Sequence, residues 1–284
     1  AFYNCSGLES ITIPNSVQTI GYAAFMGCDN LKSIILPFVG QLRNNASTAD
    51  ITRNATSVKT GERAFFGWIF GRKITSASLR NLSSSALSYN VPESLKTIQI
   101  TDELVISDQA FRDITTIDEV ILNEGIITIG EEAFMNTGIK QITIPASVGL
   151  ESEKAVLTET RDSKQYGYIG ARAFMNASSL NTVSFTPESH VYEIKDSVFE
   201  NAISLVMTSL PNSVKLIDSR SFYNTISITE FTISNNVLAI GSYAFANDED
   251  NRTKTKLQKF SFEDKCKIET LSEGTFKNAI KLQM

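Results

Sequence analysis

Few residues of this 284-residue chain have side chains suited to acid–base or metal chemistry. The single histidine is His190, in the stretch PESHVYEI. A serine–histidine–carboxylate triad needs a histidine beside its nucleophile, and zinc centres usually need several histidine or cysteine ligands. In the repeat pattern of the chain His190 aligns with Lys267, so we expect it to face solvent. The sequence therefore argues against both kinds of enzyme.

Three cysteines are the next candidates, and no C-x-x-C pair occurs among them. Cys5 and Cys28 lie 23 residues apart, at equivalent places in two similar phrases. If each phrase forms one coil of a stacked array, their Cα atoms lie about 5 Å apart, within disulfide range. Stacked side chains point the same way, however, which favours two buried thiols over a bond. We predict free thiols.

The acidic residues 248–250, DED, are of a type that binds calcium. The stretch lacks the alternating ligands and the glycine of an EF-hand loop, so we interpret it as solvated surface charge. The sequence predicts no metal, no cofactor and no catalytic residue.

The elements that position all these side chains repeat along the chain. A phenylalanine, usually after a small residue, marks each unit, and the steps between landmarks are 23, 25, 31, 40 or 46 residues. The landmarks are Phe2, Phe25, Phe65, Phe111, Phe134, Phe174, Phe199, Phe222, Phe245 and Phe276. The 46-residue step predicts a unit without its phenylalanine near Ser88, which makes about eleven units.

Each unit also contains three aliphatic residues at a fixed spacing. Two residues separate the first from the second, and one residue separates the second from the third, as in LESITIP (8–14) and IKQITIP (139–145). Alternation at the end of this phrase has the period of a β-strand. A unit of 23 residues cannot bury its own apolar side, so units must coil and stack on one another. The predicted fold class is a repeat solenoid, with parallel β-strands, short turns or helical turns on the other side, and an internal column of landmark phenylalanines.

The phrase LESITIPNSVQTIGYAAFMGC (8–28) resembles the unit of the BspA-like leucine-rich repeat family, LxxIxIPxSVxxIGxxAFxxC. The resemblance covers essentially the whole chain outside its inserts. It implies a leucine-rich-repeat solenoid in a surface or secreted protein of a bacterium or a parasitic protist, with a role in adhesion. Because both ends fall inside a repeat, we expect residues 1–284 to be a single solenoid domain cut from a longer protein.

Inserts interrupt the repeats near 38–59, 149–165 and 247–256, and such loops either bind a ligand or are merely tolerated. The unit at 65–94 is irregular and contains the stretch FFGWIFG. Its side chains Phe66, Trp68 and Phe70 have two interpretations. They form an exposed aromatic patch that contacts a sugar or a protein partner, or they fill a widened coil. The sequence favours the filling role.

The strand pattern predicts one surface that recurs along the array. The residue between the two inward aliphatics points outward, and at most positions it is short and uncharged. A second row of residues is also predicted to point outward, and Met207 belongs to it. The candidate binding residues, drawn from both rows, are Thr12, Ser33, Gln99, Gln141, Thr143, Thr182, Ser184, Ser209, Thr232 and Ser261. The alternative is that these residues only occupy exposed strand positions.

Charge and hydropathy narrow the choice of partner. The net charge is −5 and no basic patch is present, so we expect no nucleic acid. No apolar run approaches the roughly 18 residues of a membrane span. We therefore predict a non-enzymatic, extracellular or cell-surface adhesion module that recognises a protein or glycan on a host or neighbouring cell. The alternative is a passive structural spacer that presents another domain.

Overall fold

The structure is a computed structural model that describes residues 1–43, 63–73, 89–152, 157–268 and 270–283. The degenerate unit predicted near Ser88 and most of the first insert lie outside these residues. The strands, in chain order, are β1 (Ser10–Thr12), β2 (Ser33–Leu36), β3 (Thr97–Ile100), β4 (Val105–Ile106), β5 (Glu119–Ile121), β6 (Thr128–Ile129), β7 (Gln141–Ile144), β8 (Glu159–Arg161), β9 (Lys164–Tyr166), β10 (Thr182–Phe185), β11 (Glu193–Ile194), β12 (Leu216–Ile217), β13 (Glu230–Ile233), β14 (Ala239–Ile240) and β15 (Lys259–Phe262).

The aliphatic phrases form a parallel sheet, as their alternation predicts. Six strands lie in the order β1-β2-β3-β5-β7-β10. Equivalent positions of neighbouring units stand side by side, for example Ser10 beside Ser33. A second parallel pair, β13 and β15, is joined to the preceding coil by a bridge between Thr232 and Ser209. One repeat of the sequence therefore corresponds to one strand of the sheet.

A second, shorter track of strands comes from the apolar patch that follows each aliphatic phrase. β4 pairs with β6, and β11, β12 and β14 form a parallel three-stranded sheet. Each pairing again joins equivalent positions, such as Ile194 and Ile217. A coil thus consists of two short extended segments linked by turns. Among the described residues, none of the helices is long and apolar enough to cross a membrane.

The described residues of the irregular unit supply no strand between β2 and β3. These two strands pair directly, with Ile34 beside Ile98, although a long stretch of chain separates them. Part of that stretch is described, and it contains a five-residue 3₁₀ helix, Phe66–Phe70. The irregularity therefore lies on the turn side of the array, where a bulge does not interrupt the ladder of the sheet.

The landmark phenylalanines form the predicted internal column. The ring of Phe134 is fully buried, and its centroid lies 5.0 Å from that of Phe111 and 5.3 Å from that of Phe174, with nearly parallel planes. The same stacking joins other landmarks, namely Phe2 to Phe25, and Phe174, Phe199, Phe222, Phe245 and Phe276 in order. Burial of one aromatic ring per coil is a large share of the apolar area removed from water.

Phe65 is an exception to the predicted column. The places between Phe25 and Phe111 are taken by Phe70 and Phe66, at centroid distances of 6.1 Å from Phe25 to Phe70 and 5.2 Å from Phe66 to Phe111. Phe65 instead meets the edge of Tyr89. The assignment of Phe65 as the landmark was therefore wrong. Because the chain winds into a short helix there, two rings fill the widened coil.

The turns that carry most of the landmarks share a left-handed position. Two residues after the phenylalanine, φ is positive, with values of 57° at Asn136 and 59° at Asn176. Asparagine tolerates this conformation better than most residues because its short side chain bonds locally. The same position is occupied by Asp113, Asn201, Asn224 and Asn278, all with positive φ. These tight turns reverse the chain in place of longer helices.

Candidate functional site

The single histidine does not belong to a metal-binding cluster among the described residues. His190 is exposed, as predicted, and its Nδ1 lies 2.9 Å from the carbonyl oxygen of Ala146. Within the described parts of the chain, no group of three or more histidine, cysteine, aspartate or glutamate side chains is arranged to hold a metal ion.

The cysteines are free thiols, as predicted. Cys28 is buried, its Sγ donates a hydrogen bond to the carbonyl oxygen of Phe2 at 3.1 Å, and burial raises its pKa. Cys5 is exposed, which corrects the expectation that both thiols are buried. It lies in the first coil, and no other described coil stacks on the outer side of that coil.

The acidic stretch 248–250 is only partly solvated charge. Glu249 and Asp250 are exposed. Asp248 is half-buried and accepts hydrogen bonds from Asn224 Nδ2 at 2.7 Å and from the backbone N–H of Asn251 at 2.8 Å. Asp248 therefore anchors the start of the third insert to the array, a structural role that the sequence interpretation missed.

The proposed aromatic patch does not lie on the surface. Phe66 and Phe70 are fully buried and Trp68 is 6% exposed, inside the same hydrophobic cluster as the phenylalanine column. The edge of Trp68 packs against Tyr22 with ring centroids 5.0 Å apart. This corrects the contact interpretation, because buried rings present no face to a partner. The three side chains fill the irregular coil.

The other candidate residues lie together on the outer side of the main strands, and we call this set the outer strand face. Thr12, Gln141, Thr143, Thr182, Ser184 and Ser209 are exposed, and Ser33, Gln99, Thr232 and Ser261 are half-buried. The register places Thr143 directly beside Ser184. Among the described residues, neither of these two hydroxyls has a protein hydrogen-bond partner.

Other members of the outer strand face bond to one another or to neighbouring side chains. The hydroxyls of Thr232 and Ser261 lie 3.0 Å apart, and Gln141 Nε2 donates to Glu119 Oε1 at 2.6 Å. The row immediately before the strands carries exposed ion pairs, Lys140 with Asp118 at 2.8 Å and Lys32 with Glu9 at 2.9 Å. The face is therefore polar, with charged groups along one margin that the sequence analysis did not consider.

The coil at 205–211 breaks the outer strand face. Met207 was predicted to point outward, but it is 7% exposed and belongs to the core, whereas Thr208 is exposed. The repeat requires an aliphatic residue at 208, and the chain has threonine there with methionine one place earlier. A slip of one residue exchanges the two faces of a strand. The prediction for Met207 was therefore wrong.

An open slot of about 540 Å³ lies where this coil leaves the sheet. One wall is the end of β10 and the following turn, including Phe185 and Glu188, and the other wall is formed by residues 209–213. The backbone N–H of Val206 still bonds to the carbonyl of Asn181 at 2.9 Å. Beyond that bond, no described backbone hydrogen bond joins β10 to the coil at 205–211.

The second insert folds as a β-hairpin that packs on the array. β8 and β9 pair antiparallel. The guanidinium of Arg161 lies over the rings of Tyr166 and Tyr192, 4.1 Å and 4.3 Å from their centroids. Lys195 of the array pairs with Glu159 of the hairpin at 2.5 Å. The insert was predicted as a loop, and these contacts make its described part an ordered element.

A cluster of charged side chains lies near the hairpin. Glu132 accepts hydrogen bonds from Arg112, from Gln109 at 2.8 Å and from Arg172 at 3.0 Å. Burial acts to raise the pKa of Glu132, but the hydrogen bond from Arg172, the charge of Arg112 and the bond from Gln109 together lower it. Burial also raises the pKa of Tyr168 to about 12, and nearby carboxylates add to the effect. The bonds from Gln109, Arg112 and Arg172 to Glu132 hold adjacent coils together.

A ladder of amide side chains runs along the turns and was missed in the sequence. Each Nδ2 donates to the Oδ1 of the preceding unit, from Asn136 to Asp113, Asn176 to Asn136, Asn201 to Asn176 and Asn224 to Asn201, at 2.6–3.0 Å. The signal was present, since asparagine recurs two residues after a landmark phenylalanine. We call this row the asparagine ladder.

Comparisons with known proteins agree with the repeat architecture. A family model described as a BspA type leucine rich repeat region matches in six copies, over residues 1–46, 41–158 and 167–284. No curated protein matches the sequence.

Several solved structures are similar. The pneumococcal vaccine antigen PcpA is 20% identical, with 67% of this chain and 50% of that chain covered and a TM-score of 0.45. A leucine rich cell surface protein from Faecalibacterium prausnitzii A2-165 is 20% identical, with 97% and 66% covered and a TM-score of 0.42. A leucine-rich repeat protein from Eubacterium ventriosum ATCC 27560 is 17% identical, with 97% and 59% covered and a TM-score of 0.43. The chain spans about half the length of the pneumococcal antigen.

Proposed function

Because the chain belongs to the BspA-type leucine-rich repeat family, we propose that it is a non-enzymatic binding module located outside the cell or on its surface. It recognises a protein or glycan on a host or neighbouring cell. The contact surface is the outer strand face. Repeat arrays of this kind offer extended surfaces, whereas catalysis requires reactive groups that converge on one point.

One observation carries this proposal. Thr143 and Ser184 stand side by side on adjacent strands, both are exposed, and neither hydroxyl is bonded within the described protein. A pair of free hydroxyls on a flat sheet presents hydrogen-bond donors and acceptors to a partner with little entropy cost, because short side chains have few rotamers to lose. The strands that hold them are rigidly paired in register.

The test is a binding experiment with the purified protein. Immobilised mucin, extracellular matrix proteins and whole cells are the probes. In the double variant Thr143→Glu, Ser184→Glu, two adjacent charges must be desolvated on contact, so we expect binding to fall by about tenfold or more. Ser179→Glu places a charge on an exposed turn outside the outer strand face, and we expect it to bind like the unmodified protein.

The same experiment distinguishes a binding module from a passive structural spacer. A passive spacer has no partner of its own, so it gives no binding above background on any probe. Binding that is insensitive to the Thr143 and Ser184 changes also contradicts the proposed contact surface. A circular dichroism spectrum and an unfolding curve for each variant establish that the fold is kept.

A further inference from the structure

We propose that the slot between β10 and the coil at 205–211 takes an extended polypeptide segment of a partner, which pairs with the free backbone edge of β10. The inference rests on the proposed binding function and assigns it a second contact, which shares Ser209 with the outer strand face. The slot does not include Thr143 or Ser184.

The first argument is that β10 has one paired edge and one unpaired edge. The N–H groups of Thr182 and Thr186 bond toward β7, to the carbonyls of Lys140 and Ile144. Successive N–H groups of a strand point to opposite sides, so those of Val183 and Phe185 point toward the slot. Among the described residues they have no backbone partner there. A strand edge with unpaired backbone N–H groups can pair with another strand.

The second argument is that the opening is a built feature of the fold. Its two ends are closed by backbone hydrogen bonds, from Val206 to Asn181 at 2.9 Å and from Lys215 to Tyr192 at 2.8 Å. Behind it, the short strands β11, β12 and β14 stay paired, and Phe199 stacks between Phe174 and Phe222. The coils therefore remain stacked at the back and separate only along the front.

The third argument is the chemistry of the walls. Phe185 and Leu210 are half-buried apolar side chains that line the slot, and Glu188 is the one acidic side chain in its described lining. Ser213 adds a buried hydroxyl oxygen without a hydrogen-bond partner in the described protein. In recognition by strand addition, main-chain bonds provide affinity and side-chain pockets provide selectivity. The walls fit a segment with alternating apolar residues and a lysine or arginine near Glu188.

The cause lies in two residues of the sequence. At the place where the repeat has a polar and then an aliphatic residue, this coil has Met207 and Thr208. The double change Met207→Gln, Thr208→Ile restores the pattern seen at Gln141 and Ile142 in β7. We expect it to let the coil pair with β10 and close the slot.

Hydrogen exchange of the whole protein tests the free edge. In register, Val183 stands beside Ile142 and Phe185 beside Ile144. The amides of Ile142 and Ile144 face β10 and are paired, so we expect those of Val183 and Phe185 to exchange at least about tenfold faster. In the Met207→Gln, Thr208→Ile variant we expect the difference to vanish. Equal protection of all four amides in the unmodified protein contradicts the inference.

A random linear peptide library displayed on phage tests the occupant. We expect enriched peptides to have alternating apolar residues and a basic residue, and to protect the Val183 and Phe185 amides. Asn212→Trp fills the slot from a lining residue outside the outer strand face, and Ser179→Trp is its control on an exposed turn outside both surfaces. We expect affinity for the selected peptides to fall by about tenfold or more in Asn212→Trp and in the slot-closing variant, and to be unchanged in Ser179→Trp.

Three results overturn the inference: no enrichment, peptides that bind the slot variants as well as the unmodified protein, or a glycan that binds through the slot when no peptide does. The proposed function fails on different evidence, namely the absence of binding to mucin, matrix proteins and cells. Cell-surface binding that persists in Asn212→Trp while the peptide library yields nothing rejects the slot alone.

Discussion

Asn176 Nδ2 donates a hydrogen bond to Asn136 Oδ1 across 3.0 Å, although the two residues are 40 positions apart in the chain. Both have positive φ in the turn after a landmark phenylalanine. The hairpin insert accounts for the long separation, and yet the ladder passes from one coil to the next without interruption. The turn geometry is thus conserved between coils even where the loop length is not.

Changing Asn176 tests the asparagine ladder. Asn176→Ala removes two side-chain bonds and places a residue that disfavours positive φ in the turn. We expect the free energy of unfolding to fall by about 1–3 kcal/mol, because the amides of Asn136 and Asn201 lose a partner. Glycine tolerates positive φ, so Asn176→Gly loses only the hydrogen bonds. Its free energy of unfolding, measured with urea, should lie between those of the unmodified protein and Asn176→Ala. Equal stability of all three proteins contradicts a structural role for the ladder.

Changing Phe134 tests the column. Its ring is fully buried between two stacked neighbours, so Phe134→Ala leaves a cavity and should lower the free energy of unfolding by about 3–5 kcal/mol. Phe262 is 42% exposed at the end of β15, and Phe262→Ala should cost much less. Chemical unfolding followed by circular dichroism measures both. Similar losses for the two variants are not compatible with a column that carries the core.

The pH dependence of stability tests the Glu132 cluster. The pKa of Glu132 is lowered from 4.5 in the folded protein, so its stabilising contribution is present above that pH and is lost as pH falls through the lower folded pKa. Glu132→Gln should therefore lower the free energy of unfolding at pH 7 by about 1–3 kcal/mol, and the difference from the unmodified protein should shrink as the pH falls below 4.5.

Glu131 provides the control for this titration. It contacts Arg172 as well, but its side chain is 47% exposed, against 14% for Glu132. Exposed ion pairs contribute little, so Glu131→Gln should change the free energy of unfolding by under about 1 kcal/mol at every pH. A pH profile for Glu132→Gln that runs parallel to that of the unmodified protein argues against the assigned ionisation.

Changing Arg161 tests whether the hairpin is held on the array. Its guanidinium is enclosed by Tyr166 and Tyr192. Arg161→Lys keeps the charge but loses the planar group that stacks on the rings, so the hairpin should open more often. We expect cleavage after Lys164 by a lysine-specific protease to become several-fold faster.

Arg252 serves as the control for hairpin docking. It forms an exposed pair with Glu249 in the third insert, and its side chain is 53% exposed. Arg252→Lys should leave cleavage after Lys164 unchanged. If Arg161→Lys is also without effect, the stacked contacts do not hold the hairpin in place.

Much of the fold was predictable because its signals recur. A spacing of 23 residues, together with one aliphatic phrase and one phenylalanine per unit, implies stacked coils, since a single unit is too small to bury its apolar side. The parallel strands, the buried column and the outward rows around Thr143 and Ser184 all follow from that reasoning. So does the exposure of His190, whose alignment with Lys267 places it on the outside.

The features that the sequence did not reveal depend on contacts between units. Met207 turns inward because its own coil lacks an aliphatic residue at 208. The slot beside this coil is visible only when the neighbouring coils are stacked in three dimensions. Phe66 and Phe70 displace Phe65 from the column because a short helix changes which rings point inward. The hydrogen-bond partner of each asparagine in the ladder lies one coil away, and the inserts change the number of residues that separate the two partners in the sequence. A periodic pattern predicts what every unit does, and packing between particular coils decides where one unit departs from it.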